Sequence, residues 1–357
     1  MKILQTIPQD DLNNVPGAAK KAEDAGYDVL VTMENKHDPF LALGLAAVTT
    51  ERVGLGTAVA IAFARSPMIV ANVSWDLQNT SRGRFVLGLG PQIKPHNERR
   101  FSVPWTPPVP RLREYVRALR AIWRSWEAGE RLNFEGKYYT FTLMTPNFVP
   151  PSSGHPLVPI TIAAVGEHSL RLSGEVCDGV RLHPFCTKSY VEDVVIKRIQ
   201  EGMGKSGRSR EFFEITGGGF LATGNTNEEV SEVVEWVRKR VAFYGSTPSY
   251  WPVLEHHGLG DLGRKLNHMT KKGKWDKMVA EVDDDVLNLF ACIGRHDEIK
   301  VAIEKRFGGL ADAIYSSTSS ETQSNFPPDL IQDIQNITTK FKSFDLMQQK
   351  KIHNSSR

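Results

Sequence analysis

Cysteine is scarce in this chain, with three in 357 residues. Cys177, Cys186 and Cys292 form no C-x-x-C pair and are odd in number, so neither a disulfide framework nor a zinc ribbon is expected. A reducing cytoplasm fits that usage. Long apolar runs are also missing. The longest, around Val53 to Phe63, is interrupted by Gly54, Gly56 and Thr57 and falls short of the roughly 20 residues that a membrane helix needs, so no membrane association is expected. The N-terminal MKILQTIPQDD reaches proline and acids too early to hold the apolar region of a signal peptide. Charge of one sign is lacking too. Lys+Arg of 44 against Asp+Glu of 41 gives +3, too dispersed for the electrostatic footprint of a nucleic-acid partner. No metal-ligand spacing of histidines occurs, and neither G-x-G-x-x-G nor G-x-x-x-x-G-K-[ST] is found.

What is present is an ordered globular composition, 40% hydrophobic and 24% charged. Short β-rich runs alternate with amphipathic helical runs, the pattern of a parallel sheet with helices outside it. Strands are expected at 2–7, 28–34, 52–64, 84–90, 159–164, 179–183, 212–223 and 287–293. Helices are expected at 16–26, 38–50, 67–78, 111–128, 167–176 and 297–307, several opening on Pro and closing on Gly. Eight such pairs make an α/β fold, a (β/α)8 TIM barrel, over residues 1–320. A helical insertion at about 227–285 precedes the strand expected to be last, and Ala313-Ile314-Tyr315 reads as an extra strand end. Residues 321–357 form a helical or disordered tail, with Asn336 to Arg357 expected to fray.

In such a barrel the chemistry lies where the strands end, at their C-terminal edge. Strand two delivers Glu34, Asn35 and His37 there, strand three Arg65, strand four Gly90, Gln92 and His96, strand five Val165 and Gly166, and strand six His183. Each has a plain structural reading beside the functional one. Glu34 caps the helix at Asp38, pairs with Arg65, or touches a ligand; His37 and His96 belong to polar loops or to the site. His183 ends a strand inside the mouth, where an imidazole has few apolar reasons to exist. His256-His257 lacks a nearby carboxylate or cysteine and is poor evidence for a metal. The segments Gly88-Leu89-Gly90-Pro91-Gln92 and Ala163-Ala164-Val165-Gly166 turn from strand into loop on small residues, which makes either tight barrel turns or backbone cradles for an anion.

The blocks Leu55-Gly56-Thr57-Ala58-Val59 with Arg65-Ser66-Pro67, Ser81-Arg82-Gly83-Arg84-Phe85-Val86-Leu87-Gly88-Leu89-Gly90, Pro159 to Gly166 and Ala291-Cys292-Ile293-Gly294 fall in order along residues 1–320. They resemble the luciferase-like flavin monooxygenase superfamily. Glu34 with Asp38-Pro39-Phe40, Ala62 to Pro67, Trp75-Asp76-Leu77-Gln78 and Phe243 to Pro248 are similar to its coenzyme F420-dependent oxidoreductase branch. The resemblance implies a ring cofactor stacked on strand three beside a non-prolyl cis peptide, which falls near Ala58-Val59. It implies a phosphate-bearing tail on the backbone at Gly90 to Gln92 and at Ala164, Val165 and Gly166. Arg65 is carried with this cofactor set. The sugar-phosphate dehydrogenases of that branch place an acid where this chain has Ile93, and a histidine where it has Glu34-Asn35, so a sugar phosphate is not the expected substrate.

These readings converge on hydride transfer between coenzyme F420 and a small organic substrate, with His183 and His96 as proton donor or acceptor and Glu34 polarising substrate or ring. One alternative keeps the fold and uses FMN and O2, as a monooxygenase supplied by a separate flavin reductase. Another is a non-catalytic flavin-binding barrel. The aromatic insertion, with Trp236, Phe243, Tyr244, Tyr250, Trp251 and Trp275, is read as a lid that also contributes to a homodimer contact.

Overall fold

The computed structural model describes residues 1–317 and 326–344. Its centre is a closed parallel barrel of eight strands: β1 Lys2–Thr6, β2 Val29–Thr32, β3 Gly54–Thr57, β4 Phe85–Gly90, β5 Ile160–Ala164, β6 Gly179–Leu182, β7 Glu214–Gly217 and β8 Ala313–Tyr315. Registers such as Leu4↔Val29, Gly56↔Val86, Ala163↔Arg181 and Lys2↔Ala313 run around the ring, and β8 closes it against β1.

Local chemistry fixes the helices between the strands. Gly26, at φ 97°, ends α1 (Val15–Ala25) in a left-handed turn that a side chain would strain. Glu23 of that helix is buried and accepts the backbone N–H groups of Glu51, Arg52 and Val53 at 2.9, 2.7 and 2.9 Å, tying α1 to the turn after α2 (Leu41–Thr49). These donors hold its carboxyl down at about 2 against the cost of burial. Ser66 caps α3 (Pro67–Thr80), accepting from Met68 N at 3.3 Å. Helix α4 (Pro108–Ala128) buries Leu112, Val116, Leu119, Ile122, Trp123 and Trp126, as its periodicity predicts.

An aspartate repeats at the N-terminal end of the barrel. Asp28, Asp178 and Asp312 each precede an even-numbered strand and accept a backbone N–H at the start of the odd strand beside it: Ile3, Ile160 and Ile215, all at 2.8 Å. Asp178 is further clamped by Arg120 at 2.9 Å and Arg208 at 3.0 Å, which keep its carboxyl below the usual range although burial opposes them. The rigid end is thus opposite the mouth.

Three sequence expectations change. The eighth barrel strand is Ala313–Tyr315, not 287–293: Leu287 lies in a helix, Asp284–Phe290, that Asp283 caps by accepting from Val286 N at 2.8 Å. The acidic triplet had marked that helix start. The run at 212–223 is two strands, because Gly217 and Gly218 take φ 86° and 104° and turn the chain out of the barrel. Phe220–Gly224 then pairs with Ala291–Arg295 in a separate two-stranded parallel sheet. The insertion is helical throughout its main segments, including Asn227–Gly245, Trp251–Glu255 and Gly260–Lys271. Part of the expected tail is packed. Helix Pro328–Gln335 buries Leu330, Ile331 and Ile334, and the Met1 ammonium donates to the carbonyls of Gln335 and Ile337 at 3.0 and 2.6 Å. Of the segment expected to fray, 336–344 is described, with Phe341 N donating to Asp312 at 3.0 Å; 345–357 lies outside the described residues.

Candidate functional site

The C-terminal mouth opens into a cavity of about 540 Å3, walled by the ends of β3 to β6, by the turn after β2 and by the insertion. That volume suits a small-molecule site. At β3 the peptide bond Ala58-Val59 is cis, and both residues line the cavity. Next to it, Gly90 lines the wall closely: a Cβ there would lie 2.8 Å from Val59 Cγ2. Gln92 takes φ 57° and turns its side chain onto Ile93 N at 2.9 Å, which leaves Gly90, Pro91 and Gln92 as a backbone ledge.

Across the mouth, Ala164, Val165 and Gly166 lead into α5 (Glu167–Val176). No side chain caps this helix, and a Cβ on Gly166 would meet nothing within 4 Å. The first N–H groups of α5 are therefore free at the positive end of the helix dipole. Gly166 and the start of α5 could hold a phosphate tail, and the ledge with Ala58 and Val59 could hold a flavin or deazaflavin ring.

Glu34 lines the cavity with its side chain 6% exposed, accepting from Arg65 Nη1 at 2.8 and 2.7 Å and from Ile61 N at 2.6 Å. Of its open readings, the pairing with Arg65 is the one seen, and the capping of the next helix belongs to Asp38, which accepts from Phe40 N at 2.8 Å. Arg65 is behind the wall rather than on it, and its second nitrogen binds Asp38 at 2.9 Å. Burial opposes the charge on Arg65, but its two acids raise its pKa overall. Glu34 is thereby tied to the segment that follows the Ala58-Val59 cis peptide.

His183 lines the opposite side, half-buried, edge-on to Tyr244 at 4.4 Å and tilted against Tyr250 at 4.7 Å. Its Nδ1 accepts from Phe185 N at 3.0 Å, which puts the proton of the neutral ring on Nε2. Burial lowers its pKa from 6.5 to about 4, so the ring is neutral at pH 7 and not poised to titrate there. Burial also raises Tyr244, and pushes Tyr250 up to about 12, keeping both hydroxyls protonated. Both tyrosines come from the insertion, which therefore forms part of the cavity wall.

His96 does not reach the cavity lining; it sits in the short helix Lys94–Arg99, its Nδ1 buried without a partner among the described residues. His37 stays outside as well, 3.4 Å from Asp10 at an exposed edge. His257 binds Thr187 Oγ1 at 2.8 Å, and among the described residues no group of three or more His, Cys, Asp or Glu is placed to hold a metal. Several lining residues escaped the sequence reading, and Arg181 is the charged one among them. Arg181 of β6 points into the barrel, and the signal was available: it stands two residues before His183, on the same face, opposite the strand glycines Gly56 and Gly88.

The family model described as luciferase-like monooxygenase matches residues 3–313. An uncharacterized protein of Mycobacterium tuberculosis is 46% identical over 314 residues, 88% of this chain and 92% of its own. A 5,10-methylenetetrahydromethanopterin reductase of Archaeoglobus fulgidus is 28% identical over 305 residues, covering 83% and 86%. Among solved structures, the coenzyme F420-dependent tetrahydromethanopterin reductase of Methanopyrus kandleri superposes with a TM-score of 0.73 at 20% identity, over 94% of this chain and 97% of that one.

Proposed function

Because the chain belongs to the luciferase-like monooxygenase family, a family of oxidoreductases, we propose that it transfers a hydride between coenzyme F420 and a small organic substrate in the barrel mouth. The observation that carries this reading is the meeting, in one cavity, of the Ala58-Val59 surface, the Gly90–Gln92 ledge and the uncapped start of α5 at Gly166. The Archaeoglobus relative is named a 5,10-methylenetetrahydromethanopterin reductase, and the Methanopyrus kandleri reductase that shares the fold is named as coenzyme F420-dependent; together these names support the choice of coenzyme.

When bound, the deazaflavin supplies the hydride acceptor or donor carbon. The chain positions. Ala58, Val59 and Gly90 hold the ring plane, and Gln92, Ala164, Val165 and Gly166 offer backbone to the tail. Arg65 acts through Glu34, whose carboxylate it fixes at the cavity wall within hydrogen-bond reach of a bound polar group. His183 presents Nε2–H to a substrate oxygen, and works as a hydrogen-bond donor to that oxygen rather than as a group cycling its charge near pH 7. Tyr244 and Tyr250 close the substrate side against water. His96 has no place in this arrangement.

The test is a titration of the purified protein with coenzyme F420 and, separately, with FMN. Tighter binding of coenzyme F420 supports the reading; preference for FMN would replace it with an O2-using monooxygenase that draws on a flavin reductase. Tight binding of neither would sink both. A homodimer is part of the proposal: Phe243 and Trp275 of the insertion, and Leu41, Val48 and Ile69 on the outer faces of α2 and α3, expose apolar side chains that a second copy would cover. Sedimentation of the protein as a monomer would remove that element.

A further inference from the structure

The cavity floor carries a guanidinium that no carboxylate among the described residues meets in an ion pair. Arg181, third residue of β6 and 4% exposed, lays its guanidinium across the barrel interior. Nε donates to Thr161 Oγ1 at 3.0 Å, and Nη1 to the Tyr315 hydroxyl at 3.4 Å. Both acceptors are neutral. No carboxylate among the described residues comes within ion-pair distance of it. The acid that feels it through space, Glu214 of β7, is committed to Lys2 at 2.9 Å and to Thr216 Oγ1 at 3.1 Å. Nη2 has no hydrogen-bond partner among the described residues, yet Arg181 lines the cavity.

The barrel makes room for this group at the expense of its own packing. A Cβ on Gly88 would lie 2.7 Å from Nε as well as 2.0 Å from Thr57 O, and one on Gly56 would lie 3.1 Å from Nη2 as well as 3.0 Å from Val86 O, so the close approach of β3 and β4 and the passage of the guanidinium both need glycine there. Two facing strands are thus reduced to backbone where the guanidinium crosses, two residues below Gly90 and Ala58. A buried cation without a counter-ion is costly, and a structural arginine in a barrel core would be expected to have an acid beside it. The guanidinium fork matches a planar pair of acceptors.

We infer that Arg181 is the receptor, at the bottom of the mouth, for a planar anionic group of the bound small molecule: a substrate carboxylate or the anionic O–C–N edge of the reduced cofactor ring. This deepens the proposed function by naming the charge its ligand brings, and it rests on the mouth being the ligand site, not on which coenzyme fills it.

Two comparisons on wild-type protein and on Arg181→Gln and Arg181→Lys test it. In the first, the cofactor-free protein is titrated with benzoate and with its neutral analogue benzamide by calorimetry. In the second, coenzyme F420 is bound in its oxidised and in its reduced form. The inference predicts that at least one charged probe is favoured about tenfold or more by the wild type, that Arg181→Gln abolishes this preference, and that Arg181→Lys keeps part of it. A preference for benzoate assigns the site to substrate, and a preference for the reduced ring assigns it to cofactor. No preference in either wild-type comparison overturns the inference without any variant having to fold, and so does a preference that persists in folded Arg181→Gln. Binding of benzoate through Arg181 with no binding of coenzyme F420 or FMN would leave this inference standing while removing the proposed function.

Discussion

Replacing Arg65 by Met probes how the fold holds Glu34 at the cavity wall. The substitution keeps most of the aliphatic stem and removes the charged guanidinium, whose carbon lies 5.6 Å from the Phe40 ring centre. Glu34, 6% exposed, loses both contacts to Nη1 and keeps the Ile61 N–H at 2.6 Å. Removing one partner of a buried pair costs about 3–5 kcal/mol, and the 19% exposure of Arg65 puts this pair near the lower end, at about 3 kcal/mol. Glu34→Gln is milder, about 1–2 kcal/mol, because Arg65 retains Asp38 at 2.9 Å. The double variant should cost less than the sum, with a coupling of about 1–2 kcal/mol. Urea unfolding of the four proteins measures all three values. Arg65→Met within about 0.5 kcal/mol of wild type, or strict additivity, would refute the claim that the pair anchors the Glu34 wall.

Stability should fall on acidification in two windows, read by thermal melts against pH: between about 6.5 and about 4 as His183, whose folded pKa is depressed by burial, must take up a proton, and between about 4.5 and about 2 as Glu23 is protonated away from its three backbone donors. Glu23→Gln should remove Glu23's share of the lower window, to which Asp178 and Glu214 also contribute, and an unchanged acid limb would contradict that clasp. Gly88→Ala should cost about 3 kcal/mol or fail to fold, since its Cβ would lie 2.0 Å from Thr57 O; circular dichroism melts within a degree or two of wild type would show that β3 and β4 can part there. On any confirmed substrate, His183→Phe should lower kcat about 10- to 100-fold, while wild-type kcat shows no limb near pH 6.5 that vanishes in the variant. Such a limb would restore a titrating role to His183.

The barrel was legible in the sequence because its signals are local: a proline or serine opens a helix, glycine closes it, and short apolar runs alternate between helices. The cis peptide at Ala58-Val59 and the turns at Gly90 and Gly166 followed from a resemblance carried by those same segments. What escaped was set by partners distant in sequence. Ala313–Tyr315 is too short to announce itself as a barrel strand, and its pairing with Lys2, Ile3 and Leu4 spans the whole chain. Leu287 looked like the start of a strand because the apolar end of one helix runs directly into Ala291–Arg295. The room cleared for Arg181 is not legible because the glycines beside it, Gly56 and Gly88, lie on other strands and also serve the close approach of β3 and β4. The burial that lowers the His183 pKa is not legible either, since nothing in the sequence brings Tyr244 and Tyr250 onto its ring.

Gly166→Trp gives the most direct test of the mouth as the cofactor site. Gly166 has φ −81° and ψ 155°, which any residue adopts, and a Cβ there meets nothing within 4 Å, so the variant should fold and melt like wild type. Its indole would stand over the uncapped start of α5 and in the cavity. Fluorescence titration with coenzyme F420 should give micromolar or tighter binding for wild type and a loss of about a hundredfold or more, 2.7 kcal/mol or roughly more, for the folded variant. Equal affinity in the two proteins would place the coenzyme elsewhere and contradict the account.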